Sequence, residues 1–134
     1  MTPQPQNNSS PLVMWAIWAA ILQGIFILQF FAAGGIPSGP DKGSPPFAFL
    51  AMTFSGFILS CLIRWFVLPR QKTNQALMTT MIIGLALSEG TGILGMFFLS
   101  SDYPSAKLAA FICAIIGIVL FAPIYALKET EPES

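Results

Sequence analysis

Four apolar stretches, each about as long as a bilayer is thick, constrain the fold of this chain more than any other feature. They cover about residues 12–33, 47–68, 76–99 and 107–127. Each holds roughly the 20 residues that an α-helix needs to cross a hydrocarbon core near 30 Å thick. The sequence therefore predicts an all-α integral membrane protein with four transmembrane helices, surrounded by the lipid bilayer.

The composition agrees with this prediction and argues against a soluble domain. Of the 134 residues, 54% are hydrophobic and 9% are charged, with six basic and six acidic side chains. Soluble domains carry about a quarter charged residues, so this chain lacks the charge to cover a globular surface. The first apolar stretch has no basic residue before it and is too long for the apolar part of a secretory signal. We therefore expect it to remain as a helix.

The segments between the stretches predict an up-down arrangement of the helices. The segment AGGIPSGPDKGSPP (33–46) is too rich in Gly and Pro to stay helical. The segments PRQKTNQ (69–75) and SSDYPS (100–105) are short, and short connections make consecutive helices neighbours in an up-down bundle. We expect one four-helix domain over 12–127, a disordered polar tail at 1–11 and an acidic tail at 128–134.

The basic residues predict the orientation of the chain. One end of the bundle, with both termini and the 69–75 segment, carries Arg64, Arg70, Lys72 and Lys128, whereas the other carries Lys42 and Lys107. Basic residues concentrate on the cytoplasmic side of membrane proteins, so both termini are expected in the cytoplasm. The compact chain is typical of a multi-pass protein of a bacterial plasma (inner) membrane.

Glu89 is the one acidic residue inside the apolar stretches. It follows the polar 69–75 segment by about 15 residues, or about 22 Å along a helix, which places it near the bilayer midplane. A charged side chain there costs at least ~2.5–3.5 kcal/mol. We therefore expect Glu89 to face the bundle interior, to be hydrogen-bonded and to be protonated at neutral pH.

Uncharged polar residues on the same and neighbouring helices are the expected hydrogen-bond partners of Glu89, because no basic residue lies at the same depth. The candidate ion-binding set comprises Glu89 with Gln23, Thr53, Ser55, Ser88 and Thr91, and Gln29 is a further possible partner. A ridge of small residues runs beside Glu89 and is expected to allow close helix packing. Its members are Gly84, Ser88, Gly92 and Gly95.

Two interpretations of Glu89 remain open at this stage. The carboxyl group can bind or relay a proton, in a chain that assembles as a homo-oligomer. Alternatively, the chain is a structural or accessory subunit that docks to a larger membrane complex, with Glu89 as a hydrogen bond between helices, worth about 0.6–2 kcal/mol. The proton-binding interpretation is favoured, because glutamine could form the same hydrogen bond without the risk of ionisation.

Other function classes find little support in the sequence. The chain has no histidine, and its two cysteines, Cys61 and Cys113, both lie within apolar stretches. They are typical of small membrane-compatible side chains and predict neither a disulfide nor a metal site. No nucleophile–base pair or phosphate-binding loop indicates an enzyme or a cofactor, and no basic patch indicates nucleic-acid binding.

The segment TMIIGLALSEGTGI (80–93) resembles the carboxylate-bearing helix of the rotor-ring c subunit, or proteolipid, of rotary ATP synthases. That helix typically has Thr-Met, aliphatic residues, a Gly and an Ala before its ion-carrying Glu. The corresponding residues here are Thr80, Met81, Gly84, Ala86, Glu89, Thr91 and Ile93, and Arg70-Gln71 is similar to the family's cytoplasmic loop. The resemblance covers about residues 70–99.

This resemblance implies that Glu89 is the carboxylate that binds a proton or another ion. Gly90 stands where the family often has a hydroxyl residue that helps to ligate sodium, which favours a proton. The second apolar stretch departs from the family, since it has one glycine where the family's partner helix carries a dense glycine repeat.

Overall fold

The computed structural model describes residues 11–125, which contain four long helices and no β-strand. Helix α1 spans Pro11–Ile27 and continues as one π-helical turn, Leu28–Ala32; α2 spans Phe47–Leu62 and continues as a π-helical turn, Ile63–Val67, and a 3₁₀ turn, Leu68–Arg70. Helix α3 spans Asn74–Phe97, and α4 spans Pro104–Leu120, followed by a 3₁₀ turn at Pro123–Tyr125. The tails predicted at 1–11 and 128–134 lie outside the described residues, apart from Pro11 in α1.

All four helices are long and apolar enough to cross a membrane, as the sequence predicted. With their terminal turns they measure 22, 24, 24 and 22 residues in chain order. At a rise of 1.5 Å per residue these lengths correspond to about 33–36 Å, enough for a hydrocarbon core near 30 Å. The prediction of an all-helical chain with four such helices is confirmed, and these lengths suggest a multi-pass membrane protein.

Local chemistry explains where the helices begin and end. The Thr73 hydroxyl accepts a hydrogen bond from the Ala76 amide and caps α3, so that this helix begins two residues before the predicted position. Helix α4 begins at Pro104, because proline suits the first position of a helix. It ends at Leu120, seven residues before the predicted end, because Pro123 has no N–H to donate and cannot continue the helix.

Helix α3 is the central element of the bundle. It packs most extensively on α4 and also contacts α2 and α1, and α1 additionally contacts α4. Glycines allow the closest approaches: Gly84 lies against the Phe121 ring, and Gly95 lies against the Ala110 methyl group. On the α2 side, Gly56 lies against the main-chain carbonyl of Leu87. Close packing of small residues therefore joins α3 to two helices, as expected for helices in lipid.

Contacts between the connecting segments define one end of the bundle. The Lys42 amide donates a hydrogen bond of 2.9 Å to the Asp102 main-chain carbonyl. The Ser105 amide donates to the Asp41 carboxylate at 3.0 Å. Hydrogen bonding to the Ser105 side chain and, to a smaller extent, to this amide lowers the pKa of Asp41. The segment after α1 therefore lies against the segment that leads into α4.

Contacts at the C-terminal end of α4 define the opposite end. The Arg64 guanidinium donates from Nε to the Leu120 carbonyl at 2.7 Å, and the Trp18 indole donates to the Ile118 carbonyl at 2.7 Å. Arg64 also lies over the rings of Trp65 and Tyr125, at 4.9 and 5.4 Å from their centroids. The end of α4 is thus joined to α1 and α2.

Candidate functional site

Glu89 lies in the middle of α3, at the edge between the buried side of the helix and its outer surface. The side chain is partly exposed. The residues before and after it on the buried side, Ser88 and Gly92, are buried, and Gly92 contacts Ile25 of α1. Residues 82, 86 and 93 on the outer side are exposed. Glu89 therefore lies beside α1 and borders the surface that a bilayer or a second chain would cover.

The Glu89 carboxyl group has no hydrogen bond or ion pair with any other residue of 11–125. Glu89 is also the one acidic residue within the four helices. Arg64, the one arginine in the apolar part of α2, is held at the end of α4 by the Leu120 carbonyl. An uncompensated carboxylate in hydrocarbon costs at least ~2.5–3.5 kcal/mol, so a bilayer around this position would favour the neutral, protonated acid.

Thr91 lies on the opposite side of α3 from Glu89, because residues two positions apart in an α-helix point about 200° away from each other around the helix axis. Its hydroxyl accepts a hydrogen bond of 2.8 Å from the Phe57 amide of α2. Gly56 allows this contact, since the position of a Cβ atom there would fall 3.0 Å from the Thr91 hydroxyl. Thr91 therefore joins α2 to α3 and does not face Glu89.

Two of the predicted site residues are fully buried hydroxyls without a hydrogen-bond partner within 11–125. These are Ser88 on α3 and Thr53 on α2. The Ser88 hydroxyl lies against Gly117 of α4, where a Cβ atom would leave it no room. Ser88 therefore serves the α3–α4 contact.

The remaining predicted partners lie elsewhere. Gln23 is exposed, on the side of α1 away from buried Ile25, and has no hydrogen bond within 11–125. Ser55 is exposed on α2 and donates to the Met52 carbonyl of its own helix. Gln29 is buried at the end of α1 and donates to the Gly35 carbonyl at 2.5 Å. Among residues 11–125, the structure therefore does not bring these polar side chains together around Glu89.

The small-residue ridge of α3 is buried inside the bundle. All four of its members, Gly84, Ser88, Gly92 and Gly95, are buried. Gly84 faces Phe121, which directly follows α4, and the other three face residues of α4. Gly92 also faces Ile25 of α1. The ridge is therefore occupied by helices of the same chain.

Sequence reasoning missed two features of the site. The first is the side of each helix on which the polar residues lie, although the 100° turn per residue already separates Thr91 from Glu89. The second is the close crossing of α2 and α3 at Gly56, the single glycine of α2.

The described residues contain no group of three or more His, Cys, Asp or Glu that could hold a metal ion. Both cysteines are free thiols. No family model, curated protein or solved structure matches this chain.

Proposed function

We propose that this chain is a multi-pass protein of a bacterial plasma membrane whose Glu89 binds a proton at the outer surface of the helix bundle. One observation carries the proposal: Glu89 is partly exposed in the middle of α3 and lacks a hydrogen bond within the described chain. A carboxyl group at that depth is most stable when protonated. Because it borders the outer surface, it can exchange its proton with water or with a base that a partner supplies.

The position of Glu89 favours proton binding over a role as a hydrogen bond between helices. In the second role, the carboxyl group would contact a polar group on a neighbouring helix of the same chain, and no such contact exists within 11–125. The hydrogen bond that does join two helices here is formed by Thr91 and Phe57. The resemblance of residues 80–93 to the rotor-ring c subunit supports the same role for Glu89.

The exposed position of Gln23 supports assembly with further copies of the chain. Ile25 of α1 contacts Gly92 of α3. The contacts at the two ends of the bundle favour an up-down arrangement, in which α1 and α3 run in the same direction. Gln23 then lies at about the depth of Glu89. An amide without a partner in hydrocarbon costs several kcal/mol. In a homo-oligomer, a hydrogen bond between the Gln23 amide of one copy and the Glu89 carboxyl group of the next would satisfy both groups.

The alternative of an accessory subunit rests on an apolar surface that would dock to a larger complex. The small-residue ridge, which could have supplied such a surface, instead packs against α4 and α1 of the same chain. Proton binding on Glu89 is therefore the better-supported function. The excess of Arg64, Arg70 and Lys72 at one end of the bundle supports a cytoplasmic location for both termini.

Modification by carbodiimides tests the proposal, because these reagents react with protonated carboxyl groups. We expect a membrane-soluble carbodiimide to modify Glu89 at neutral pH, with a rate that falls as the pH rises. A water-soluble carbodiimide should modify the acids outside the helices instead. Mass spectrometry of the digested protein locates the adduct.

Two variants serve as controls for this experiment. E89Q should lose the membrane-soluble adduct, whereas D102N, which removes an acid outside the helices, should retain it. A wild-type protein whose Glu89 reacts only with the water-soluble reagent would contradict the proposal.

A further inference from the structure

A cavity of about 220 Å³ lies where the end of α1 meets the start of α4. Its walls include Gln29, Gly34 and Gly35 on the α1 side and Ser101, Pro104 and Lys107 on the α4 side. Helix α1 with its π-helical turn ends at Ala32, and α4 begins at Pro104. The cavity therefore lies at the level at which the helices leave the hydrocarbon, where lipid headgroups are found.

The α1 wall of this cavity is a fixed structure. Gln29 is 2% exposed, and its side-chain amide donates to the Gly35 carbonyl at 2.5 Å. The Gly35 amide in turn donates to the Gln29 main-chain carbonyl at 2.9 Å. Gly34 and Gly35 have φ angles of 83° and 105°, which glycine adopts readily. These two hydrogen bonds fold the chain back over the end of the helix and hold the wall in place.

Lys107 contributes a positive charge that the described chain does not neutralise. The two acids at this end of the bundle are already engaged, since Asp102 pairs with Lys42 at 3.9 Å and Asp41 accepts from the Ser105 amide. Lys107 is partly buried and forms no ion pair within 11–125. It also lies in the first turn of α4, where the helix dipole disfavours a cation and favours an anion.

An aromatic surface continues from the cavity towards the middle of the bundle. Phe26 and Phe30 of α1 stack at 6.4 Å between ring centroids, and Phe26 meets Phe111 of α4 edge-on at 5.7 Å. Phe111 lies one turn after Lys107, and Phe26 and Phe30 lie just before and just after Gln29. Phe26 and Phe30 are 39% and 47% exposed. An acyl chain can therefore lie on these rings below a headgroup held in the cavity.

We propose that this cavity binds the phosphate group of an anionic phospholipid, with Lys107 as its counter-ion and the acyl chains over Phe26 and Phe30. Basic pockets between transmembrane helices bind anionic headgroups in this way. The site is separate from Glu89 and does not depend on the function proposed for that residue.

Native mass spectrometry of the detergent-purified full chain tests this site. The protein is mixed with phosphatidylglycerol or phosphatidylcholine of identical acyl chains, and the lipid-bound fraction is measured. We expect the wild type to prefer phosphatidylglycerol about five-fold, which is the effect of one lysine near an anionic group. K107Q should lose this preference and K107R should retain it. K42Q is the matched control, because Lys42 lies at the same end but is paired with Asp102, and it should behave as the wild type.

Two further measurements keep the proposal falsifiable. If K107Q does not fold, S101D places a carboxylate in the cavity wall, and it should also abolish the preference for phosphatidylglycerol. Inorganic phosphate should fail to displace the lipid. An unchanged preference in K107Q or S101D, an equal loss in K42Q, or displacement of the lipid by millimolar phosphate would overturn the proposal.

Discussion

The Phe57 amide of α2 donates a hydrogen bond of 2.8 Å to the Thr91 hydroxyl of α3, on the side of α3 opposite Glu89. This contact and the neighbouring Gly56 fix how α3 is rotated against α2. The rotation buries Ser88 and Gly92 and leaves Glu89 at the outer edge of the bundle. The exposure of the acid is therefore a consequence of how α2, α3 and α4 pack.

Loss of the Thr91 hydroxyl should weaken the contact between α2 and α3. T91V replaces the hydroxyl with a methyl group of similar size and leaves the Phe57 amide without this acceptor. We expect a loss of about 1 kcal/mol in the free energy of unfolding, the usual scale for hydrogen bonds between helices in lipid. Unfolding in mixed detergent measures it. T91S retains the hydroxyl and should lose markedly less unfolding free energy than T91V. An equal loss in T91S and T91V would show that this hydrogen bond does not stabilise the fold.

A methyl group on the buried side of α3 should separate α3 from α4. In G95A the new Cβ would collide with the Ala110 methyl group. We expect a destabilisation of about 1–3 kcal/mol, as for other overpacked contacts. G90A is the matched control on the same helix, because a Cβ at Gly90 meets no atom within 4 Å. Equal stability of the two variants in the same unfolding assay would contradict the packing described here.

Acidification should release the segment between α1 and α2 from the start of α4. Hydrogen bonding to the Ser105 side chain and to its amide lowers the pKa of Asp41 in the folded protein. The stabilising contribution of the Asp41 carboxylate is therefore fully present above the pKa of an unfolded aspartate, about 3.9. It is lost as the pH falls through the lower pKa of Asp41 in the folded protein. We expect the protection of the Ser105 amide from hydrogen exchange, corrected for the intrinsic rate, to fall in acid.

D41N provides the comparison for this measurement. Its amide side chain does not titrate in this range, so its Ser105 protection should be lower at neutral pH and should change little on acidification. A wild-type protein that behaves in the same way as D41N would show that the carboxylate does not hold this segment.

Removal of the Gln23 amide should weaken the self-association proposed above. Q23L leaves the fold of the single chain unchanged, because Gln23 is exposed and has no hydrogen bond within 11–125. We expect a smaller oligomeric fraction in bilayers, as counted by single-molecule photobleaching. S55A serves as the control, since Ser55 is also exposed but its hydroxyl donates a hydrogen bond to its own helix. An oligomeric fraction that is the same in Q23L and the wild type would exclude Gln23 from the contact.

The number and the approximate extent of the helices could be predicted from the sequence, because spanning length and low charge constrain a chain in lipid strongly. The ends of α4 were less predictable. Pro104 started this helix and Pro123 prevented its continuation, so the observed helix lies nearer the N-terminus than the apolar stretch predicted.

The environment of Glu89 could be predicted only in part. The sequence identified Glu89 and predicted its depth. Successive residues of an α-helix point about 100° apart, and α3 carries apolar residues on all its sides, so the pattern did not show which side is buried. Which side faces α4 depends on contacts such as those of Gly84 and Gly95 with Phe121 and Ala110. These residues are distant in sequence, so no local pattern identified the outer position of Glu89.

The protonation state of Glu89 in a bilayer tests the central claim most directly. Infrared spectroscopy distinguishes the C=O stretch of a protonated carboxyl group from the bands of a carboxylate, and E89Q identifies the signal of Glu89. For the wild type in lipid at pH 7 we expect a protonated-carboxyl band that is absent from E89Q and present in D102N. A spectrum in which E89Q removes only carboxylate bands at pH 7 would contradict the claim that this chain holds a proton on Glu89.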